Sequence, residues 1–494
     1  MSVDKKNYLI LSSLFLFIYF FGFLTNNFYY LDDIYRSVIG VFGWDLNARP
    51  VTNFIFKLIS ADRVVDIYPL GLILGVLSVI WASDKIRKFL FQGHVMSGVI
   101  ATLLILANPF LLANASYHYD ALTMFLATAL AIWATFVTEE VKSWLGLGLT
   151  CFILFLVWST YQPAINLFLT LSVIFYIDRA VFLKTKNINI DILLKALALV
   201  LSYIIYSLSF QHLVGGAYSV QHSELLKING SFIHQFIVHI KLFFGMIHLL
   251  FEGHFKYVAY GYALIFFMSV FYLDFTQVRK NSLKLSRFYS YILLSSPLVI
   301  IFLSFLIFCF LKEPVVKYRV MIGFSGVLVY LFYLLNKVII KNKSHWLMIP
   351  MLVIFYIYAA VYPNAQQARY DNYLLAIHTI GERINQTNFK SKELMVAGTF
   401  PAVNVNLATK DAYPIIFYLL KSYFTDMYLE SNSELLTSGA NLFKHDFLTK
   451  DLNIVFKSKS AVLKDGYFHV ISDTPYYTLG EKKDSFAVVF KGKE

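Results

Sequence analysis

Charged residues are scarce in this chain. Only 15% of its 494 residues are Asp, Glu, Lys or Arg, whereas about 25% is usual in a soluble domain. Hydrophobic residues make up 58%, and the mean hydropathy is +0.63. Apolar runs of about 18 residues or more recur along the sequence, and each is long enough to cross a bilayer as a helix. The composition therefore excludes a soluble globular protein and predicts a polytopic α-helical membrane protein.

The chain also lacks the signatures of several function classes. Its two cysteines, Cys151 and Cys309, lie in apolar runs, which predicts neither a disulfide framework nor a cysteine-based metal site. The sequence contains none of four common site motifs, which are His-Glu-x-x-His, Walker A, Gly-x-Gly-x-x-Gly and Gly-x-Ser-x-Gly. A nucleotide-driven pump and an enzyme using a soluble nucleotide are therefore disfavoured. No cofactor and no metal site are expected, although a divalent metal stays open.

The net charge of +12 has two readings, binding to nucleic acid or membrane topology. The cations are dispersed in short loops between apolar runs, which favours cytoplasmic loops of a membrane protein and no nucleic-acid partner. Their alternation predicts about 11 transmembrane helices, a cytoplasmic N-terminus and a C-terminal part on the outer side of the membrane. Residues 232–251 also form an apolar stretch, but we do not count it among the spans. Its amphipathic pattern favours a helix in the membrane interface over a transmembrane helix.

The sequence divides into a membrane part and a smaller C-terminal domain. Residues 1–362 hold the apolar runs, with a first outer loop at about residues 27–65. Residues 363–494 are soluble in composition and mix helix-like and strand-like stretches. We therefore predict a small α/β domain on the outer side, which is the periplasmic side if the resemblance given below holds. Its predicted helices cover residues 371–385 and 412–429, and its predicted strands cover residues 394–397, 453–456, 467–471 and 485–490.

Two adjacent acids in the first loop, Asp32 and Asp33, are the leading candidates for chemistry. A carboxylate on the water side of a membrane can take the proton of an attacking hydroxyl, or it can bind a metal. The alternative is that Asp32 caps a short helix over residues 33–41. Spacing alone does not separate these roles.

Further polar residues lie at the same predicted side and are candidates for binding substrate. Arginine side chains suit phosphate oxygens, although ion pairs to the acids would explain them equally well. Asp120 stands at the start of a predicted span, where a buried acid needs a partner. Gln162 can form a hydrogen bond to a sugar hydroxyl. The predicted substrate-binding residues are Arg36, Asp45, Arg49, Tyr117, Asp120, Tyr161, Gln162, Lys317 and Arg319.

Several short motifs, in their order and membrane side, resemble the serotype-converting O-antigen glucosyltransferases of phage type, the glucosyltransferase II family. The motifs are LDDIYR (31–36), ARP (48–50), NPFLLANASYHYDALTMFLA (108–127), STYQPA (159–164), KYRVMIG (317–323) and NAQQARYDNYLLAIHTIGERI (364–384). The resemblance covers most of the membrane part. The family often has glycine before the Arg-Pro pair, where this chain has Ala48.

The resemblance implies a GT-C-like fold and a membrane glycosyltransferase. The donor would be undecaprenyl-phosphate glucose, and the acceptor a sugar hydroxyl of lipid-linked O-antigen on the periplasmic side. It also implies an acidic base in the first outer loop, and we expect Asp33 in that role with Asp32 assisting. Single displacement would invert the anomeric centre.

Two other functions fit parts of the sequence. An O-antigen polymerase is also polytopic, but it usually concentrates its active residues in large middle loops. A lipid-sugar flippase or transporter would favour charges in span centres or paired half-helices. The charges of this chain cluster instead at the predicted outer ends of the spans, which favours the glycosyltransferase.

Overall fold

The computed structural model describes residues 2–141, 144–185, 188–215, 217–278, 285–339, 343–387, 393–420, 452–459, 462, 469–482 and 485–492. The described chain is mostly helical. Its helices are α1 (Val3–Thr25), α2 (Asp32–Ile39), α3 (Pro50–Ile59), α4 (Leu70–Phe89), α5 (Val95–Leu106), α6 (Leu112–Ala115), α7 (Ala121–Glu140), α8 (Trp144–Thr160), α9 (Ile165–Ile177), α10 (Ile188–Phe210), α11 (Ala217–Gln221), α12 (Phe232–His248), α13 (Lys256–Leu273), α14 (Leu285–Leu303), α15 (Leu306–Cys309), α16 (Phe324–Val338), α17 (Lys343–Asn385), α18 (Asn404–Ala412) and α19 (Pro414–Leu419). Its strands are β1 (Glu393–Thr399), β2 (Asn453–Phe456), β3 (His469–Asp473), β4 (Tyr477–Lys482) and β5 (Ser485–Lys491).

Within these residues, eight helical segments are long and apolar enough to cross a membrane. They become nine if the pair α5–α6, bent by 52°, is one broken span. Each of the 11 predicted spans falls on a helix or a pair of helices. However, α8 and the described part of α14 are shorter, and four of the last six residues of α4 are charged. The prediction of a polytopic helical membrane protein is confirmed, and the count of 11 stays a prediction.

Helix α7 lies at the centre of the helical region, between α4 and α8. Its buried alanines, among them Ala127, Ala131 and Ala134, let neighbouring backbones approach closely. Gly75 of α4 supplies the matching surface, because a Cβ atom there would lie 2.9 Å from Cβ of Phe125. This tight packing holds the start of α7 in place, where a predicted site residue, Asp120, lies.

The C-terminal domain is built on a five-stranded sheet in the order β2-β1-β5-β4-β3. Strand β1 pairs in parallel with β2 and β5, whereas β4 is antiparallel to β5 and β3. The predicted strands therefore occur within the described residues, and β4 is an addition. Residues 467–468 of the predicted strand over 467–471 lie outside the described ones. The predicted helix over residues 371–385 is the end of α17, which runs unbroken through the predicted boundary at 362–363. The predicted helix over 412–429 begins as α19, and its residues after 420 lie outside the described ones.

Hydrogen bonds attach the C-terminal domain to the loop after α1. The Tyr30 hydroxyl donates to the carbonyl of Leu419 at 3.2 Å, and the backbone N–H of Asn27 donates to Oε1 of Gln367 at 2.9 Å. We call this end of the helical region, which carries α2 and α19, the domain face. The first loop and the C-terminal domain thus lie on the same side of the membrane part.

Candidate active site

Helix α2 presents its two acids in opposite environments. It begins directly after Leu31, whose φ of +50° is a strained value that an L residue rarely adopts. Asp33 is fully buried and accepts backbone N–H groups of Tyr30 (3.3 Å), His118 (2.9 Å) and Tyr119 (3.3 Å). Burial raises the pKa of Asp33 well above its usual value, against the lowering effect of the His118 N–H. Asp33 therefore joins α2 to the segment before α7.

Asp32 faces a cavity instead. Its side chain is 32% exposed, and its carboxylate lies 3.8 Å from Nη1 of Arg36, one helical turn on. Leu31 occupies the N-cap position, so Asp32 stands in the first helical turn. The interpretation of Asp32 as the cap is therefore wrong. The partly exposed Asp32 carboxylate can therefore contact a substrate in the cavity. The Asp33 carboxylate cannot, because it is buried against backbone N–H groups.

Asp120, directly before α7, collects three partners from the first loop. Its Oδ1 accepts from Nη1 of Arg49 at 2.6 Å and from the indole N–H of Trp44 at 3.0 Å. Its Oδ2 lies 3.7 Å from Nη1 of Arg36, whose guanidinium also stacks 4.3 Å from the Trp44 ring centre. Burial raises the pKa of Asp120, but Arg49 and Arg36 outweigh burial and lower it below its usual value. Asp120 is therefore an ionised anchor for both arginines.

Arg49 uses all its nitrogens within the protein. Nε donates to the carbonyl of Thr160 at 2.7 Å, Nη1 to Asp120, and Nη2 to the Thr123 hydroxyl at 3.4 Å. Ala48, before it, has a left-handed backbone with φ +53°. Glycine adopts this conformation without strain, which explains why a glycine suits this position. Arg49 thus fastens the first loop to the ends of α7 and α8.

Arg319, at the start of the segment before α16, brings a further cation to the cavity. Its Nη1 contacts the Tyr117 hydroxyl, and its guanidinium lies 5.3 Å from the Tyr117 ring centre. Its backbone carbonyl accepts from the Tyr161 hydroxyl at 3.0 Å. Gln162 donates to the carbonyl of Ala48 at 3.2 Å. The predicted residues of four distant segments therefore meet at the domain face.

These residues line one cavity of about 1210 Å³. Its charged lining residues are Asp32, Arg36, Arg49, Asp120 and Arg319. Three guanidinium groups and two carboxylates leave one net positive charge. A cavity of this size exceeds the usual range for small ligands, about 300–1,000 Å³. It therefore suits a large substrate that carries a negative charge.

The cavity continues into the membrane part as an apolar groove. Along α10 its lining runs from Tyr206 to Leu199, which is about 10 Å of helix at 1.5 Å per residue. Leu199 stands midway along α10, so the groove reaches the middle of this helix. Val200 also lines it and is 54% exposed. The cavity therefore combines a charged end with an apolar arm.

Three predicted residues stand apart. Among the described residues that line the cavity, Asp33, Asp45 and Lys317 are absent. The Asp45 carboxylate accepts the N–H of Leu46 at 3.1 Å in a short 3₁₀ turn, and Lys317 lines a small neighbouring pocket next to Arg319. The charge of Asp45 could be read from the sequence, but the direction of its side chain could not.

Several residues that support or line the cavity were not predicted from the sequence. Trp44 does not line it but donates to Asp120, whereas Tyr206 lines it and accepts a hydrogen bond from Gln162 at 3.0 Å. Tyr203 and Tyr206 are three residues apart on α10, so two tyrosines on one face of an apolar run could have indicated a binding wall. His222 lines the mouth, where its Nδ1 lies 2.8 Å from the carbonyl of Glu313. Within the described residues, no group of three His, Cys, Asp or Glu side chains could hold a metal ion.

Fold and site together define a class, a helical membrane protein with one large cavity that joins a charged end to an apolar arm. The comparison with known proteins gives the family. The model of the family "Glucosyl transferase GtrII" matches residues 21–330, well over half of the chain, so the chain belongs to this family and is a glycosyltransferase. An uncharacterized 55.3 kDa protein in the gtrB 5′ region of Salmonella phage P22 is 26% identical over 446 residues, 88% of this chain and 90% of that protein.

Proposed function

We propose that the protein transfers glucose from undecaprenyl-phosphate glucose to a sugar hydroxyl of lipid-linked O-antigen, on the periplasmic face of the bacterial inner membrane. The observation that carries the proposal is the joint lining of one cavity by Asp32, by Arg36 and Arg319, and by the apolar groove along α10. An acid, a phosphate-binding charge and a lipid path are the three things that this reaction needs.

The charge of the cavity supports a lipid-phosphate donor. A sugar linked to a lipid through one phosphate is a diester with a single negative charge, which matches the single net positive charge of the lining. Arg49 donates to Thr160, Thr123 and Asp120. We assign the phosphate to the two other arginines of the lining, Arg36 and Arg319. Cations that meet the charge of the departing phosphate stabilise the transition state.

The apolar groove supports the lipid part of the donor. Leu169, Leu199 and Leu306 come from three different helices and line the same arm of the cavity. Because Val200 is exposed at the groove, the chain can enter from the bilayer without crossing the charged end. The sugar-phosphate then lies at the domain face, with the lipid chain between the helices.

The general base in this proposal is Asp32, in place of the expected Asp33. Asp32 accepts the proton of the acceptor hydroxyl while the acceptor oxygen bonds to C1 of glucose. The bond from C1 to the phosphate oxygen breaks, and its electron pair leaves with the lipid phosphate. One displacement from the opposite face inverts C1. The role of Asp33 is to hold α2, so that Asp32 and Arg36 both point at the cavity.

Expression in a bacterium that makes O-antigen and the lipid-linked donor tests the proposal. Mass spectrometry of the O-antigen measures branch glucose in the wild type and in Asp32→Asn. We expect branch glucose from the wild type and its loss from Asp32→Asn at equal membrane abundance. Asp45→Asn is the matched control, because Asp45 stands outside the cavity.

Two outcomes would overturn the proposal. Altered O-antigen chain length with unchanged branch glucose would indicate a polymerase. Undiminished branch glucose in Asp32→Asn would remove Asp32 as the base.

A further inference from the structure

Both ends of α12 are attached to the domain face. Before the helix, the N–H of Leu226 donates to the carbonyl of Phe310 at 2.8 Å, and the N–H of Lys312 donates to the carbonyl of Glu224 at 2.7 Å. After the helix, the N–H of His254 donates to the carbonyl of Ala412 in the C-terminal domain at 3.0 Å. A helix that crossed the membrane would leave one of these ends on the opposite side.

The segment at Phe310 and Lys312 lies on the same side as the C-terminal domain. It leads directly to Arg319, whose guanidinium contacts Tyr117. The Tyr117 ring packs edge-on against Tyr30 at 5.0 Å, and Tyr30 donates to Leu419 of α19. An unbroken series of contacts therefore connects the region before α12 with the domain that receives the region after it.

The distribution of buried and exposed side chains on α12 agrees with a helix that lies parallel to the membrane surface. Phe236, Phe243 and Ile247 form one face that packs on the protein; Phe243, for instance, stacks on Phe305 of the neighbouring helix pair at 5.2 Å. Lys241 is exposed and lies midway through the apolar segment Phe232–Phe251. In a transmembrane arrangement its ammonium group would face lipid near the bilayer centre, at a cost of at least about 2.5 kcal/mol.

We propose that α12 lies in the membrane interface on the domain face and contacts lipid head groups through Lys241, although its length and composition suit a span. His234 and His248, seven residues before and after Lys241, share its exposed stripe, and Ile237 and Leu242 flank the stripe with apolar surface. Phe232 at the start of α12 lines the cavity, so the helix forms a wall of the site at head-group depth.

This placement also agrees with the parity of the chain. The loop after α1 and the C-terminal domain share the domain face, so an even number of crossings separates them. Between these two segments lie ten predicted spans, from α4 to the first part of α17 and without α12. Ten crossings return the chain to the side from which it started. A crossing by α12 would make the number odd and would separate two segments that are joined by a hydrogen bond.

Cysteine labelling tests the placement independently of any activity. The background variant carries Cys151→Ser and Cys309→Ala, and single cysteines replace Asn229 and His254, exposed residues on either side of α12. In spheroplasts we expect a membrane-impermeant maleimide to label both positions. Thr185→Cys, in the loop before α10 on the opposite side, is the matched control and should react only after the membrane is permeabilised.

Labelling of only one of the two α12 positions in intact spheroplasts would overturn the proposal. A second measurement gives the depth. A spin label on Lys241→Cys in liposomes should collide more with a water-soluble nickel chelate than with oxygen, as head-group positions do. A maximum of oxygen collisions at position 241 would place it at the bilayer centre and would also refute the inference. Neither result depends on whether the proposed glucosyl transfer is correct.

Discussion

Changing each of the two acids of α2 to asparagine should affect different properties of the protein, activity for Asp32 and stability for Asp33. Asp32 is partly exposed, so losing its 3.8 Å ion pair to Arg36 should cost less than about 1 kcal/mol of folding free energy. Losing the base should lower kcat by about 10²- to 10⁴-fold, equivalent to about 3–5 kcal/mol of transition-state stabilisation at about 1.4 kcal/mol per tenfold. Asp32→Asn is therefore expected to be folded and nearly inactive.

Asp33→Asn should show the reverse pattern. The carboxylate accepts three backbone N–H groups, whereas an amide turns its NH2 toward at least one of them. Each buried donor left unsatisfied costs about 1–3 kcal/mol. We therefore expect a lower unfolding temperature and a smaller folded fraction, with residual activity per folded molecule well above that of Asp32→Asn.

The assay combines thermal unfolding in detergent with turnover measured per folded molecule. Asp45→Asn serves in both measurements as the control for a charge change outside the cavity. These roles are wrong if Asp33→Asn unfolds like the wild type but loses turnover while Asp32→Asn stays active. That result would return the role of base to Asp33.

Three further predictions test other parts of the site. Arg319→Lys keeps the charge but loses the planar fork, so the KM for the donor should rise about tenfold with the folding temperature unchanged; an unchanged KM would remove Arg319 from the phosphate site. Ala48→Gly relieves a left-handed alanine and should raise the free energy of unfolding by about 1 kcal/mol, measured by thermal unfolding, with kcat unaltered; a loss of stability would contradict the reading of φ +53°. Leu199→Trp narrows the groove midway along α10, so kcat/KM should fall for a donor with the full-length lipid and much less for a short-chain donor. Equal effects on both donors would place the lipid elsewhere.

Much of the site could be predicted from the sequence because membrane topology is a strong constraint. The alternation of basic loops assigns each loop to a side, so Asp32, Asp120, Gln162 and Arg319 could be grouped although they are far apart in the chain. All four line the same cavity. The C-terminal sheet was also visible, since its strands alternate or concentrate β-branched and aromatic residues.

The direction of individual side chains could not be predicted in the same way. Asp32 and Asp33 are adjacent on α2, about 100° apart around the helix. Their environments are decided by the backbone of His118 and Tyr119, which belongs to a different segment. Tyr206 could not be predicted for a similar reason, because the direction of a tyrosine in an apolar run depends on how the helices pack. Tertiary contacts, which local sequence does not encode, determine the environment of these side chains.

A donor comparison in liposomes shows whether the protein uses a lipid-phosphate donor. The purified protein would receive lipid-linked acceptor with either undecaprenyl-phosphate glucose or UDP-glucose, and mass spectrometry would measure the glucosylated product. We expect product from the lipid-linked donor only, with the loss of that product in Asp32→Asn. Product formed from UDP-glucose in the absence of the lipid donor would show that the donor is not a lipid phosphate.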